Sequence, residues 1–333
     1  MVLIFSMRFD YSTNCVMKWL DYKGFKVIRI NGEDDFYKFV QITKEGIIFR
    51  DSVSNKEVNL RDVKSCWWRR TGLTKRHFAA TVAKEQLISN DVDISRFIND
   101  KRNFIDDEAK DLIDYICYTV YNKASINLGN PQFNLNRLIV LDIAKKYGLM
   151  VPEYMIVQDG RQLEMCRNNF AKAVTKAVSN GIYRDIYNHR FYTYTELIEE
   201  DFYEKNREVD FFPSMVSDLI EKKIEIRSFY LDGEFYSMAI FSQSDEKTKI
   251  DFRKYTNNRR EPFRLPKHIE LKLKYIFREL DLNCGSADLI IDSNDNYIFL
   301  EINPVGQFAM TSEPCNYDLH KKVANFLAYG TTN

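Results

Sequence analysis

Three oxygen-bearing side chains near the end of the 333-residue chain, Asp288, Glu301 and Asn303, are spaced to act together. Asp288 and Glu301 sit in two apolar runs, 286–291 and 297–302, joined by the turn-rich Asp292-Ser-Asn-Asp-Asn296, and Asn303 directly follows the second. Side chains two apart on a strand share a face, so Glu301 and Asn303 point the same way, and antiparallel pairing across the turn brings Asp288 beside them. Three oxygen donors with no histidine or thiol suit a hard cation such as Mg²⁺, which keeps several waters and takes other ligands from phosphate groups. Turn chemistry is the plainer alternative, because Asp and Asn near turns commonly bond their own backbone.

The elements that must position this hairpin alternate along the whole chain. Residues 2–6 read as a buried strand, followed by a helix begun by Ser12 or Thr13 and carrying Val16, Trp19 and Leu20, then a strand at 26–31. Short β-like pieces fill 36–70 and end in Val63-Lys-Ser-Cys-Trp-Trp-Arg-Arg70. Helix is expected over 84–122, with Ile113, Ile116, Cys117 and Val120 on one face, and Asn127-Leu-Gly-Asn-Pro131 is the best linker candidate. Beyond it come a helix with Leu135, Leu138, Ile139 and Ile143 stopping at Gly148, strands at 154–157, 171–178, 224–231 and 234–242, and a polar stretch to Pro266 that reads as a loop over a site. A helix carrying Leu273, Ile276, Phe277 and Leu280 follows, then the hairpin, then a last helix with Leu319, Val323, Phe326 and Leu327 on one face. This is an α/β (α+β) chain, divided by expectation into 1–125, an N-terminal α/β domain with a helical segment; 126–230, a small central subdomain; and 231–333, a C-terminal subdomain bearing the hairpin.

Composition removes several function classes. Lys plus Arg (48) equals Asp plus Glu (48), so no global field favours nucleic acid or an anionic membrane surface. No apolar run approaches the roughly 18–20 residues of a membrane span, and the opening Met-Val-Leu-Ile-Phe-Ser lacks the features of a signal segment, so a cytoplasmic protein is expected. Six scattered cysteines without a CxxC pair argue against zinc and disulfide frameworks and for free thiols. Neither GxxxxGK[ST] nor GxGxxG occurs.

An ordered set of motifs resembles the ATP-grasp ligases. Phe299-Leu-Glu-Ile-Asn-Pro-Val-Gly306 is similar to their FLExNPxG signature and Gly285-Ser-Ala-Asp288 to the strand preceding it. Asn136-Arg137, with Ala144, Gly148 and Val151-Pro152, resembles the upstream NK…A…G..VP segment, with arginine where many relatives carry lysine. Val174-Thr-Lys176 resembles the strand whose lysine contacts nucleotide phosphates. Glu225-Ile-Arg227 and Asp251-Phe-Arg253 resemble the ExR and D(W/F)R motifs of the branch that cyclises ribosomal peptides, the microviridin-type or graspetide maturases. Cys66-Trp-Trp-Arg-Arg70 is closest to the grasp-with-spasm maturases.

The resemblance implies an ATP-grasp fold, with an N-terminal pre-ATP-grasp domain, a lid and a C-terminal catalytic subdomain. It also implies ATP and Mg²⁺, two ions, as cofactors, and conversion of a carboxylate to an acyl phosphate that an alcohol or amine attacks. Metal would be held by Asp288, Glu301 and Asn303; Arg137 and Lys176 would neutralise phosphate charge; Ser217, Asp218, Leu219 and Ile220 would form the adenine hinge, where the usual Gln-Glu pair is missing. Arg227 and Arg253 are candidates for gripping the substrate carboxylate and Asp251 for accepting the nucleophile's proton, with Arg69 and Arg70 as further substrate candidates, one of which at most points inward if the strand alternates. The expected partner is a precursor peptide, leader plus core, whose Asp or Glu side chains are joined to Thr, Ser or Lys; a homodimer is left open. A ligase adding free amino acids to a protein or small molecule is the alternative, and a nucleotide-binding regulator without turnover a more distant one. Plainer readings stand beside several residues: Lys176 as a solvated edge lysine, Arg227 paired with Glu225, Asp251-Phe-Arg253 as a charged turn. Tyr183, Tyr187, Tyr192 and Tyr194, with Arg184 and Arg190, form either a peptide-docking surface or an aromatic hairpin core.

Overall fold

The computed structural model describes residues 1–78, 92–131, 135–179, 181, 183–186, 189–192, 195–242 and 258–332. Two compact units emerge, Met1–Phe133 with Asp318–Asn333, and Asn134–Tyr317.

The first unit opens with strand β1 (Val2–Ser6), helix α1 (Tyr11–Tyr22) and strand β2 (Val27–Asn31). All of β1 is buried, as a parallel strand covered on both faces must be. Helix α1 starts at Tyr11, ahead of the expected Ser12 or Thr13. Its N-cap is Asp10, whose carboxylate accepts the Thr13 N–H at 2.8 Å. Strands β3 (Tyr37–Ile42), β4 (Ile47–Asp51) and β5 (Glu57–Asn59) make an antiparallel three-stranded sheet. Strand β6 (Ser65–Trp68) returns beside β1, and helix α2 (Val92–Lys123) leads to β7 (Ile126–Leu128). The sheet order is β2-β1-β6-β7, every pair parallel. Leu3, Phe5, Phe49, Leu60 and Trp68 pack with Ile116 and Val120 of α2 into one core, so the expected apolar face of that helix is the buried one. Residues 84–91 of the expected helix lie outside the described residues.

The segment read as a linker is partly a strand. Ile126 pairs with Ser65 and Leu128 with Trp67, while Asn127 accepts the Trp68 Nε1–H at 3.0 Å. The side-chain amide that opens the linker candidate is instead tied to a buried indole.

The second unit begins with helix α3 (Arg137–Lys146), capped by Asn136, whose Oδ1 accepts the Leu138 and Ile139 N–H groups. Strand β8 (Tyr154–Asp159), helix α4 (Gly160–Asn169) and strand β9 (Ala173–Lys176) follow. Then come the hairpin β10 (Tyr183–Ile186) and β11 (His189–Tyr192), strand β12 (Glu196–Leu197), helix α5 (Glu200–Lys205) and strand β13 (Asp210–Asp218). The sheet here runs β12-β9-β13-β8 and is antiparallel. Strands β14 (Lys222–Leu231), β15 (Glu234–Phe241) and β16 (Arg259–Phe263), helix α6 (Lys267–Glu279), strands β17 (Cys284–Asp292) and β18 (Tyr297–Asn303), and helix α7 (Ala309–Cys315) complete the unit. The second sheet is antiparallel with order β16-β15-β14-β17-β18. Its core joins Leu273, Ile276 and Phe277 of α6 to Ala287, Leu289, Phe299 and Ile302 of the hairpin.

The last part of the polar stretch before Pro266, expected as loop, is the edge strand β16. Its Arg259, Glu261 and Phe263 alternate with Arg260 and Pro262, a pattern that charge disguises but edge strands favour. Helix α8 (Leu319–Tyr329), which the sequence places within 231–333, belongs to the first unit and packs against α1, β6 and β7.

Candidate active site

Strand pairing builds the site in a row. Arg227 of β14 faces Asp288 of β17, which faces Glu301 of β18. Two residues along, Ser286 faces Asn303. The hairpin register slips between Asp288 and Leu289, so Leu300 is an extra residue on β18. That bulge is what aims the carboxylate. Without it Phe299 and Glu301 would share a face; with it Phe299 is fully buried in the core and Leu300, Glu301 and Asn303 all line an open cavity. Gly285 allows the end of β18 to close in, since a Cβ there would lie 3.1 Å from the Asn303 carbonyl oxygen and 2.9 Å from the Phe277 ring.

The cavity, about 300 Å³, lies between the two sheets of the second unit. Arg137, Lys176, Ser217, Asp218, Leu219, Ile220, Arg227, Asp288, Glu301 and Asn303 all line it. Arg137 enters from the first turn of α3, held there by the Asn136 cap, and Lys176 from the end of β9. Their nitrogens reach the same oxygen, Glu301 Oε2, at 2.8 and 2.7 Å. Arg227 Nη1 lies 3.2 Å from Asp288 Oδ2. Its companion Glu225 is not its partner: Glu225 takes Lys222 Nζ at 2.7 Å and the Ser242 hydroxyl at 2.5 Å. Glu225, noted from the sequence with Arg227 in the ExR motif, also lines the cavity, as do Lys222 and Gln307, which were not singled out as site residues from the sequence. For Lys222 the available signal was its spacing of three from Glu225.

The two carboxylates are shifted in opposite directions. Burial raises the Asp288 carboxyl well above its usual range; Arg227 pulls it back only in part, and the charge of Glu301 pushes it further up. Burial also opposes ionisation of Glu301, but Lys176 and Arg137 outweigh it and hold that carboxyl well below its usual range. Burial likewise raises Asp218.

Several polar atoms here are buried with no hydrogen-bond partner among the described residues: Asp288 Oδ1, Ser286 Oγ, Asp218 Oδ1, Arg137 Nη1 and Arg227 Nη2. Unmatched acceptors beside unmatched guanidinium donors are costly unless a ligand joins them. The lining carries four cationic and four anionic side chains, so it matches a polyanion that arrives with its own cation better than a bare anion. Asp288, Glu301 and Asn303 fit a hard divalent ion by donor type. Asn303 Oδ1 also accepts the Val305 N–H at 3.1 Å, so its turn role and a ligand role coexist on one carbonyl.

Arg69 and Arg70 lie in the first unit and depart from the expected alternation. Both backbone N–H groups donate to Phe5 O where β6 ends, and both side chains reach Asp10 Oδ2, at 3.3 and 3.5 Å. Burial opposes ionisation of Asp10, but Arg69, the Thr13 N–H and Arg70 together hold it below its usual range. Arg69 is buried, with its guanidinium 5.5 Å from the Trp67 ring centroid. Asp251 and Arg253 lie outside the described residues, as do the side chains of the β10–β11 hairpin with its tyrosines.

Two facing sheets enclosing a cleft of this composition define the ATP-grasp fold. The chain is similar along its whole length to solved structures of that fold. One is the macrocyclase MdnC from Microcystis aeruginosa MRC bound with precursor peptide MdnA, at 22% identity and TM-score 0.74, covering 99% of this chain and 100% of that one. Another is a RiPP-associated ATP-grasp ligase from Chryseobacterium gregarium in complex with ADP and a leader and core peptide, at 22% identity and TM-score 0.76, covering 99% and 97%. The macrocyclase MdnB from Microcystis aeruginosa MRC follows at 18% identity and TM-score 0.69, covering 99% of each chain. No family model and no curated protein matches the sequence. No described helix is long and apolar enough to cross a membrane.

Proposed function

We propose that this protein is an ATP-dependent ligase that activates Asp or Glu side chains of a ribosomal precursor peptide and joins them to Thr, Ser or Lys side chains of the same peptide. The observation that carries the reading is the row Arg227, Asp288, Glu301 with Asn303 beside it, facing Arg137 and Lys176 across one cavity. Full-length likeness to structures holding ADP and peptides supports the choice of substrates.

Asp288, Glu301 and Asn303 would hold Mg²⁺, two ions in this reading, which neutralises phosphate charge as the γ-phosphoryl group moves. Arg137 and Lys176, now shared on one Glu301 oxygen, would turn to the phosphates. The segment Ser217, Asp218, Leu219 and Ile220 would seat the base, with Leu141, Val174 and Met215 as apolar walls. Arg227 would present its unmatched Nη2 to the substrate carboxylate, orienting it for attack on phosphorus. Asp251 and Arg253 keep the roles the resemblance implies, proton acceptor and second grip on the carboxylate. Of the segment 126–230, the sheet β12-β9-β13-β8 would then serve as lid, while β14 at its end joins the hairpin within 231–333 on the metal side. A cytoplasmic location fits an ATP-consuming enzyme.

The test is co-expression with the peptide encoded beside the gene, followed by mass spectrometry. One loss of water per ring, absent from the Glu301→Gln variant, is expected. An unmodified peptide with the wild-type enzyme overturns the reading.

A further inference from the structure

The first unit carries surface features that the ligase chemistry does not use. Its parallel sheet runs β2-β1-β6-β7, so chain order reverses between β1 and β6. Ligands of open parallel sheets bind outside the carboxyl ends of the strands at such a reversal. Residues Met7 to Asp10 leave β1 there and Arg69 to Gly72 leave β6.

Phe9 is the outlier. Its φ is +58°, in the left-handed region that disfavours a bulky residue, and the residue is 93% exposed. It thus combines an unfavourable backbone with no packing return from its own chain. Met7 and Tyr11 beside it are also exposed, which extends the apolar surface. The exposed charge around it includes two arginines as well as the acid Glu33. Asp10 and Asp34 are buried, whereas the side chains of Arg8 and Arg70 are 49% and 27% exposed. Each arginine uses only Nε, at 3.5 Å from Asp34 and Asp10 respectively. No Nη nitrogen of either has a partner among the described residues. Two open guanidinium forks beside an exposed aromatic ring match a ligand bearing carboxylates and apolar side chains. Glu33, the exposed acid nearby, accepts the Arg8 backbone N–H at 3.1 Å.

We propose that Arg8, Phe9 and Arg70 form a docking surface for an acidic, apolar-bearing segment of the peptide substrate. This rests on the ligase reading for the peptide's identity and on the first unit alone for the surface. A peptide whose carboxylates are to be activated must carry Asp or Glu, and a surface that presents guanidinium forks selects such a segment without catalytic contact.

The probe is a dye-labelled synthetic peptide of Glu, Thr, Leu and Phe, with a matched peptide in which every Glu is Gln, read by fluorescence anisotropy on the full chain. Wild type is expected to prefer the Glu peptide by about tenfold or more, and Arg8→Gln, Arg70→Gln and Phe9→Gly each to weaken it about tenfold. Phe9→Gly is the decisive variant. Glycine relieves the left-handed strain, so its melting temperature is expected to equal or exceed wild type while binding falls. Lys56→Gln, an exposed cation elsewhere in the unit, serves as control and is expected to leave binding unchanged. Equal affinity for both peptides, unchanged affinity in all three variants, or an equal loss in Lys56→Gln overturns the surface. Water loss from the co-expressed peptide is scored separately: its absence with Glu-selective, Phe9-dependent binding overturns the ligase reading and supports the surface.

Discussion

Glu301 Oε2 accepts from two cations at once, Arg137 and Lys176. Bringing in phosphates therefore exchanges partners within a fixed set of charges. Glu301→Gln should leave the fold intact, because both cations are partly exposed, and should lower ATP-dependent ligation by about a hundredfold or more. ADP release with the peptide present is the measurement, and near-normal turnover would remove Glu301 from the metal site. Asp288 carries the opposite prediction for stability. Its carboxyl is raised from 3.8 to about 6 by burial and Glu301, so the folded state binds a proton that the unfolded chain has released. The stabilisation is full below the unfolded value and is lost as pH rises through about 6. Asp288→Asn, which mimics the protonated form, should then raise the melting temperature of the ligand-free protein by a few degrees at pH 7.5 and by little near pH 4. The same variant should lose the extra stability that Mg²⁺ with ATP gives the wild type. A ligand-free melting curve unchanged at pH 7.5 would refute the raised carboxyl.

At the scale of elements, the hairpin's existence was written plainly: two apolar runs, a turn of five Asp, Ser and Asn residues, and two acceptors spaced by two. The bulge was not written at all, because Phe299 and Leu300 are both apolar and nothing in their order says which is extra. Only pairing against β17 settles that Phe299 goes to the core. Strand β13 was read merely as part of a hinge at 217–220, since Pro213 and the acidic ends obscure its nine residues. Strand β7 is three residues long, too short to carry a period, and exists because β6 offers a free edge. The Arg69-Arg70 alternation failed for a similar reason: β6 ends at Trp68, and beyond it both residues turn to Asp10. Gly285 gives the prediction that belongs here. A methyl at that position meets Phe277 and the Asn303 carbonyl, so Gly285→Ala should cost about 1–3 kcal/mol and displace Asn303. Its loss of Mg²⁺-dependent ATP binding should exceed that of Leu273→Val, which weakens the same core away from the hairpin. Equal losses, matched for stability, would deny that this close approach positions the site.

At the scale of the whole molecule, the chain leaves its first unit at residue 133 and returns to it at 318. Periodicity located α8 from sequence, but periodicity says which face is apolar and not which unit covers it. The covering partners are α1, β6 and β7, and Leu319, Val323 and Leu327 are fully buried. The sheet β2-β1-β6-β7 thus depends on a segment that follows the whole second unit in chain order, and its stability should answer to a helix that sequence proximity assigns to the β17–β18 hairpin. Leu327→Ala removes a buried side chain and should cost about 2–5 kcal/mol. Hydrogen exchange distinguishes where that cost falls. Faster exchange is expected in β1, β6, β7 and α1, with protection of β14, β17 and β18 and their response to Mg²⁺ and ATP retained. If protection were lost first in β17 and β18, the last helix would be a support of the catalytic sheet, and the division of the chain into these two units would not describe how it comes apart.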